Sequence, residues 1–343
     1  MTIFSAKNWL SSFEQAEQEE KPMLKIIEHK RENNSDKKIL RSEIPSSGDK
    51  VFTESGKIYT LGEYVTNGNT GKEGDIFKVR DEAGRVAKIY KDDSCTTWRR
   101  EKLKLMTQAR LNFNGICFPL ELINNSQGEF TGFIMQEAKG VRLTELFIPR
   151  KQFELNFPDC NKQDLVQLAI SILKKIQYLH KHDVIMGDIS PRNIMFTSSD
   201  DVYFVDADSY QYGSYPCKVG TTGFIAPELR DGKKLGSRMW TEGNENFAVA
   251  VIVFMLMMQG QFPFVNENIM FPSAGPWRNI WNHLPAWLRG AFNDTFRKGG
   301  KHNTEATRFS VNKWLSFMHE YNKALPAMIS EDPENGSVYP NGR

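Results

Sequence analysis

The segment from Val184 to Tyr210, VIMGDISPRNIMFTSSDDVYFVDADSY, limits the fold of this chain more than any other stretch. The apolar runs NIMF and VYFV stand on either side of the polar turn TSSDD, a pattern that predicts a β-hairpin. In a hairpin, the residues before the first strand and after the second strand emerge at the same end. The hairpin therefore brings Asp188, Asn193 and Asp206 close together.

Two carboxylates and one carboxamide at the mouth of a hairpin supply oxygen ligands for a hard cation such as Mg²⁺. Proteins that handle phosphate groups hold Mg²⁺ in this way, with phosphate oxygens as further ligands. The alternative interpretation is that these polar residues only cap turns. The hairpin alone does not decide between the two.

Composition excludes some classes of partner. The 343 residues carry 44 basic and 42 acidic side chains, and the formal net charge of +2 predicts neither nucleic acid nor an anionic membrane as a partner. The longest apolar run, FAVAVIVFMLMM, is well short of the roughly 20 residues that span a bilayer, so it predicts a buried helix. Four scattered cysteines, without a C-x-x-C pair or a signal peptide, favour the reducing cytoplasm.

Local patterns divide the chain into four regions. Residues 1–50 form an extension with short amphipathic patterns and a charged stretch. Short strands separated by turns predict a small antiparallel β lobe over residues 58–138, and helical periodicity predicts a larger, mainly helical lobe over residues 139–325. Residues 326–343 are predicted to be a disordered tail. Strands first and helices later indicate an α+β protein with two lobes.

Three further segments resolve the ambiguity of the hairpin. In NTGKEGDIFKV, Gly71 and Gly74 allow main-chain N–H groups to approach a phosphate, although most glycine-rich turns are ordinary turns. In VAKIYK, Lys88 lies in mid-strand, where an isolated lysine more often faces solvent. The third segment, GTTGFIAPEL, is a rigid turn that ends in Ala-Pro-Glu. It is improbable that all of these segments occur in this order by chance.

In this order, the segments resemble the signature set of the protein kinase family. The resemblance covers roughly residues 58–325 and implies a bilobal kinase-like fold. It also implies transfer of the γ-phosphate of ATP to a protein substrate, with Mg²⁺ or alternatively Mn²⁺ as the metal. The sequence of these segments is most similar to that of a divergent microbial group related to tellurite-resistance-associated kinases. Some of these act with a phosphatase and a von Willebrand A-type partner.

The resemblance implies roles for individual residues. Asp188 matches the aspartate that accepts the proton of the substrate hydroxyl, and Asn193 and Asp206 match the metal ligands. Lys88 matches the lysine that pairs with the α and β phosphates, and Glu101 matches its partner on a helix. Met135 lies near the gatekeeper position, before a hinge that faces adenine. The nucleotide-binding set is Asn69, Gly71, Gly74, Ile76, Lys88, Glu101, Met135, Gln136, Glu137 and Ala138.

Some positions depart from the kinase pattern. Gly187 stands where many kinases have an arginine before Asp188, so activity is not expected to depend on phosphorylation of the activation segment. Ser190 replaces a lysine, and the catalytic set therefore includes Arg192, which is expected to restore the charge, as an arginine does in many tyrosine kinases. The Asp-Phe-Gly motif reads Asp206-Ala207-Asp208, which removes the residues that work as a switch.

Three function classes stay open. A Ser/Thr protein kinase is favoured, because Thr221 matches a threonine that such kinases place opposite the catalytic aspartate. A small-molecule phosphotransferase is suggested by the glycine before Asp188, but the Ala-Pro-Glu segment and a predicted Glu228–Arg308 pair argue against it. A pseudokinase scaffold is disfavoured, because the groups needed for transfer are retained. Glu245 is expected to take the place of the family's buried aspartate in the helix that follows.

Overall fold

A computed structural model describes residues 36–65, 71–111, 113–264 and 276–341 of the chain. Asn69 and the amphipathic patterns within residues 1–35 lie outside these ranges. Two parts are named below by their residues. Residues 50–136 are the barrel part, and residues 141–341 are the helical part.

The barrel part is a closed antiparallel β-barrel. Its strands pair in the order β1-β2-β3-β4-β6-β5, and β1 closes the ring against β5. The antiparallel sheet predicted for this region is confirmed. Helix α1 (Thr97–Gln108) lies between β4 and β5 in the chain. The strands are β1 (Lys50–Thr53), β2 (Ile58–Tyr64), β3 (Gly74–Val79), β4 (Arg85–Tyr90), β5 (Glu121–Asn124) and β6 (Phe130–Gln136).

Alternation of side chains along β4 orients Lys88. Ala87 and Ile89 belong to the buried cluster of the barrel, with Phe77 and Ile134 among their neighbours in it. Because successive side chains of a strand point to opposite faces, Lys88 faces away from this cluster. The barrel core therefore positions Lys88 through the residues on either side of it.

The helical part contains the predicted hairpin and a group of packed helices. Strand β7 (Val141–Arg142) pairs with β8 (Ile194–Phe196), and β8 pairs with β9 (Val202–Phe204) in the register Ile194 to Phe204. The hairpin prediction is thus confirmed. The helices are α2 (Arg150–Asn156), α3 (Lys162–Lys181), α4 (Glu242–Met257), α5 (Pro276–His283), α6 (Ala286–Phe296) and α7 (Val311–Glu331).

Helices α3 and α4 begin at side-chain caps. Asn161 accepts hydrogen bonds from the main-chain N–H groups of Gln163 and Asp164, as is typical of an asparagine before a helix. Thr241 caps α4, and nearly the whole length of α4 is buried, as expected for its apolar run. In the described ranges, no helix combines the length and apolar character that crossing a bilayer requires.

The disordered tail predicted for residues 326–343 is wrong for the part that the structure describes. Helix α7 continues through Pro326 to Glu331, and a 3₁₀ turn follows at Pro333–Gly336. Beyond the turn, Tyr339 is only 6% exposed, and its ring lies edge-on to Phe153 at 5.6 Å between centroids. The polar composition misled the prediction, because the packing partner of Tyr339 is remote in sequence.

The end of the predicted N-terminal extension lies along the barrel part. The N–H of Thr97 donates to the carbonyl of Lys37 at 2.9 Å, and the N–H of Lys37 donates to Thr97 Oγ1 at 3.1 Å. Further along, Arg41 forms an ion pair with Asp92 at 2.8 Å. These contacts attach the extension to the N-terminal end of α1.

Candidate active site

The loop between α3 and β8 holds the predicted catalytic aspartate. Asn193 Nδ2 donates to the carbonyl oxygen of Asp188 at 2.9 Å and to its Oδ2 at 3.0 Å. Thr221 Oγ1 donates to Asp188 Oδ1 at 2.7 Å. Both carboxylate oxygens of Asp188 are therefore oriented by side chains. The predicted proximity of Asp188 to Asn193, and of Asp188 to Thr221, is confirmed.

Glu245 of α4 supports this loop from below. Its side chain is 1% exposed, Oε1 accepts the N–H of Gly187 at 2.6 Å, and Oε2 lies 2.5 Å from His180 Nε2. Gly187 has a φ of +73°, and a Cβ there would lie 2.5 Å from Cys217 Sγ. Position 187 therefore requires glycine in this arrangement. The interpretation of Glu245 as the buried acid of the following helix is confirmed.

Asp206 and Asp208 follow β9 and differ in exposure. Asp206 adopts the left-handed conformation with a φ of 59°, its side chain is 56% exposed, and its Oδ1 lies 3.2 Å from Lys88 Nζ. The side chain of Asp208 is 2% exposed. Its two oxygens accept hydrogen bonds from Lys88 Nζ at 2.8 and 2.9 Å, and Oδ2 also accepts from Tyr90 Oη at 2.7 Å. Lys88 is thus paired mainly with Asp208.

The prediction that Glu101 pairs with Lys88 is wrong. Helix α1 begins after the Thr96 cap, and this start turns Lys102 inward and leaves Glu101 exposed. Lys102 is 1% exposed, and its Nζ donates to the carbonyl oxygen of Asp208 at 2.9 Å. Side chains at neighbouring helix positions point in directions about 100° apart. Assigning the inward-facing position to Glu101 in place of Lys102 therefore selects the wrong side of the helix.

The electrostatics of this cluster follow from burial and charge. Burial alone would raise the pKa of Asp208, but the charges of Lys88 and Arg99 outweigh it and hold that pKa at about 2. Burial likewise disfavours the charged form of Lys88, yet Asp208 and Asp206 raise its pKa above the ordinary value. Burial lowers the pKa of Lys102 to about 8. Lys88 and Asp208 are consequently both ionised at neutral pH.

The described glycines of the predicted phosphate loop lie where the main chain packs closely. A Cβ at Gly74 would lie 2.5 Å from the carbonyl oxygen of Ile89, and a Cβ at Gly71 would lie 2.5 Å from the carbonyl oxygen of Gly74. Ile76 is the cross-strand neighbour of Lys88 in the β3–β4 pair. Ile76 and Lys88 therefore lie side by side, and their nucleotide contacts stay a prediction.

The predicted hinge residues join the two parts. Met135 and Gln136 end β6, with Met135 6% exposed, and the N–H of Glu137 donates to the carbonyl of Gly84 at 2.9 Å. The Gln136 side chain is bonded to Asn114 Oδ1 and to the N–H of Gly115. Ala138 is half-buried against the core. The structure gives these residues a connecting position, and their adenine contacts stay a prediction.

Arg192 and Ser190 lie in the catalytic loop, on different sides. Arg192 is exposed, and its carbonyl oxygen accepts a hydrogen bond from Arg142 Nη1. Ser190 is fully buried. The expected role of Arg192 as a replacement for the loop lysine is not tested by these contacts.

The Ala-Pro-Glu segment is anchored as predicted. Arg308 Nη1 and Nη2 donate to Glu228 Oε1 and Oε2 at 2.5 and 2.7 Å, a two-point ion pair. Asn244 Nδ2 also donates to Glu228 Oε1 at 2.9 Å. The predicted Glu228–Arg308 pair is confirmed, and it fixes the segment against the start of α4.

Sequence comparison identifies the family that this geometry suggests. The sequence profile described as "Protein kinase domain" matches residues 59–274, more than half of the chain. The chain therefore belongs to the protein kinase family. The matched range includes Lys88, Asp188, Asn193 and Asp206.

Individual relatives are distant. The chain is 26% identical over 223 residues to "Protein kinase YegI" of Escherichia coli (strain K12), which covers 63% of this chain and 34% of the relative. It is 23% identical over 295 residues to "Probable serine/threonine-protein kinase pXi" of Dictyostelium discoideum, which covers 81% of this chain and 37% of the relative. The chain thus spans about a third of the length of these curated relatives.

The residues present fit the divalent metal that the family uses. The amide nitrogen of Asn193 donates to Asp188, so the amide oxygen of Asn193 points away from Asp188. Asp206 presents an exposed carboxylate. Oxygen donors of these two types suit Mg²⁺, with phosphate oxygens completing its coordination. In the described ranges, no cluster of three or more His, Cys, Asp or Glu side chains forms a metal site by itself.

Sequence reasoning did not predict the contacts that Asp208, Lys102 and Tyr90 make in this cluster. One signal was visible, because Asp208 stands where the family's motif has glycine, and an added acid beside a metal ligand calls for a cationic partner. Lys102 and Tyr90 carried no such signal. Their contacts with Asp208 join residues more than 100 positions apart.

Proposed function

We propose that the chain is a Ser/Thr protein kinase that transfers the γ-phosphate of ATP to a protein hydroxyl. In this proposal the barrel part is the small lobe and the helical part is the large lobe of a bilobal kinase. The observation that carries the proposal is Asp188, whose two carboxylate oxygens are oriented by Asn193 and Thr221.

The side chains of the chain perform separate tasks. Asp188 orients the substrate hydroxyl and accepts its proton, while Lys88 binds phosphate oxygens of the nucleotide. When bound, Mg²⁺ neutralises charge on the phosphates, and Asn193 and Asp206 are the residues that would hold it. Catalysis of this kind depends on position and charge, so the fixed geometry around Asp188 is the protein's contribution.

Activity is proposed to be independent of a phosphate on the activation segment, which we define as residues 206–228. Gly187 has no side chain to receive such a phosphate, and Cys217 Sγ fills the space where its Cβ would lie. A phosphate can order a loop only where a cationic group receives it. The site is thus built in its ordered form by Glu245 and Thr221.

The Glu228–Arg308 pair supports a protein substrate over a small molecule. It holds the Ala-Pro-Glu segment rigidly next to Thr221, which gives a peptide a platform beside Asp188. A phosphatase or a von Willebrand A-type protein as a further partner, a relation to tellurite-resistance-associated kinases and a cytoplasmic location all stay predictions from the resemblance.

The test is incubation of the full chain with γ-labelled ATP, Mg²⁺ and a panel of proteins, followed by mapping of phosphorylated residues. We expect label on serine or threonine. Label only on small molecules would favour a small-molecule phosphotransferase, and nucleotide binding without transfer would favour a pseudokinase. Either result would contradict the proposal.

Asp206→Ala supplies the metal arm of the test. It should weaken Mg²⁺-dependent nucleotide binding, because a metal ligand is lost. Asp200→Ala, in the turn at the other end of the same hairpin, is the matched control and should bind as the wild type does. Unchanged Mg·ATP affinity in Asp206→Ala would contradict the assignment of the metal ligand.

A further inference from the structure

The acid that holds Lys88 lies on the turn after Asp206 and not on helix α1. We propose that Asp208 is the positioning residue of Lys88, and that Lys102 couples Asp208 to helix α1. This inference rests on the proposed function, because it explains how Lys88 is held for the phosphates of ATP. It assigns to the turn a role that the kinase pattern gives to a glutamate on the helix.

Distances and burial rank Asp208 above Asp206 as the partner of Lys88. Both oxygens of Asp208 lie within 2.9 Å of Lys88 Nζ, whereas the single contact of Asp206 is 3.2 Å. The Lys88 and Asp208 side chains are 6% and 2% exposed, and Asp206 is 56% exposed. A charge pair away from water interacts more strongly than an exposed pair. Asp208 therefore fixes Lys88, and Asp206 keeps an exposed carboxylate for the metal.

Tyr90 restricts the orientation of Asp208. Its hydroxyl donates to Asp208 Oδ2 at 2.7 Å from a fully buried ring on the same strand as Lys88. The Arg99 guanidinium lies 4.7 Å from the centre of that ring and forms an ion pair with Glu73 at 2.9 Å. The carboxylate of Asp208 is thus bonded by two residues of β4, which sets its position relative to the strand.

Helix α1 complements this arrangement with the opposite charge. The most buried charged residue of the helix is Lys102, which donates to the carbonyl oxygen of Asp208 at 2.9 Å. A glutamate at position 102 would place a second carboxylate beside Asp208 and raise the energy of both. The acid that holds Lys88 therefore lies on the turn, where the kinase motif has glycine, and a lysine occupies a buried position of the helix beside it. Each is consistent with the other.

The coupling extends to the activation segment. The ring of Trp98, one turn before Lys102, has Lys102 Nζ at 5.3 Å and Lys218 Nζ at 3.4 Å from its centre. Lys218 also forms an ion pair with Asp36 of the N-terminal extension at 3.3 Å. A shift of α1 would therefore act on Lys88 through Lys102 and Asp208.

The first experiment compares two acids in the full chain. Mg·ATP affinity is measured by titration calorimetry. The kcat and the KM for ATP are measured with a protein substrate that the wild type phosphorylates. Asp208→Asn should weaken Mg·ATP binding and raise KM by about tenfold or more, because Lys88 loses its charged partner. Glu101→Gln, at the exposed position that the sequence had favoured, should stay within about twofold of the wild type. The reverse ranking would overturn the proposal.

A second pair of variants separates positioning from folding. Lys102→Glu and Asp208→Gly, each alone, should weaken Mg·ATP binding, whereas the double variant moves the acid back to the helix. We expect the double variant to bind Mg·ATP more tightly than either single variant, with thermal unfolding recorded for all three. Losses that multiply in the double variant would show a structural role only and would overturn the proposal.

Failure of the proposed function has a different signature. A wild-type chain that binds Mg·ATP but labels no protein would refute the protein kinase activity, while the affinity ranking of Asp208→Asn and Glu101→Gln would still decide the inference. A wild-type chain that binds no nucleotide would refute both.

Discussion

The barrel part and the helical part agree with the kinase pattern to different degrees. In the helical part, Asp188, Asn193 and Thr221 form the contacts that the sequence predicts, and Glu228 pairs with Arg308. In the barrel part, Lys88 lies where expected, but the predicted partner on helix α1 is replaced by Asp208. The difference teaches that the contacts around Asp188 keep to the kinase pattern, whereas the acid that supports Lys88 lies on a different element from the one that the pattern uses.

The largest expected effect tests the helical part. Asp188→Ala should lower the rate of phosphate transfer on the order of 10² to 10³ or more, because the substrate hydroxyl loses its orienting base. Mg·ATP affinity should change little, since Asp188 acts on the hydroxyl. Steady-state rates and calorimetry on the same preparation measure both. Near-normal turnover would remove the catalytic assignment and, with it, one side of the comparison.

The next effect is on stability. Arg308→Ala leaves Glu228 without its main partner, and we expect a loss of about 2 to 3 kcal/mol of unfolding free energy. The value lies below that of a fully buried pair because the Glu228 side chain is 30% exposed and keeps Asn244. Denaturant unfolding measures it. Arg238→Ala, which breaks an exposed pair with Asp231, should cost much less unfolding free energy than Arg308→Ala. Equal losses in the two variants would contradict the anchoring role.

The stability difference between the wild type and Arg308→Ala depends on pH, and the direction of that dependence follows from the pKa of Glu228. Burial opposes ionisation of Glu228, but Arg308 and Asn244 outweigh it, so the pKa of Glu228 is lowered in the folded protein. The stability from this pair is present above the unfolded pKa of about 4.3 and is lost as pH falls through the folded pKa. The difference between wild type and Arg308→Ala should therefore shrink in acid. A constant difference would count against the ion pair.

A smaller effect is expected from the hydroxyl that orients Asp188. Thr221→Ala removes the bond to Asp188 Oδ1 and should lower kcat by about tenfold, the value of one hydrogen bond to a charged group. Thr221→Ser keeps the hydroxyl and should recover most of the rate. If both variants lose the same activity, the methyl group matters rather than the hydrogen bond.

The smallest effect concerns the activation segment. Ser214→Ala and Thr222→Ala should each leave the rate within about twofold of the wild type, because Gly187 offers no cationic receiver for a phosphate. Rates of purified and phosphatase-treated chain provide the comparison. A large loss in either variant would show that control lies in the activation segment.

The contrast between the two parts also marks what sequence reasoning reached. The hairpin, the loop around Asp188 and the buried helix α4 follow from short-range patterns, because a turn or a continuous apolar run is formed by neighbours in the chain. Long-range pairs were reached only where a motif named both partners, as for Glu228 and Arg308. The C-terminal segment around Tyr339 had no such motif.

The sequence by itself determined the order of strands and helices and the hairpin that carries Asp188, Asn193 and Asp206, because a hairpin brings the residues before its first strand and after its second strand to the same end. Only the tertiary structure decided that Lys88 pairs with Asp208 and that Lys102 faces inward. Each position of a helix is rotated by about 100° from the position before it. The packing of α1 against the turn therefore decides which residue of the helix faces inward. A buried charged group requires a polar or charged partner close in space, whatever the place of that partner in the sequence.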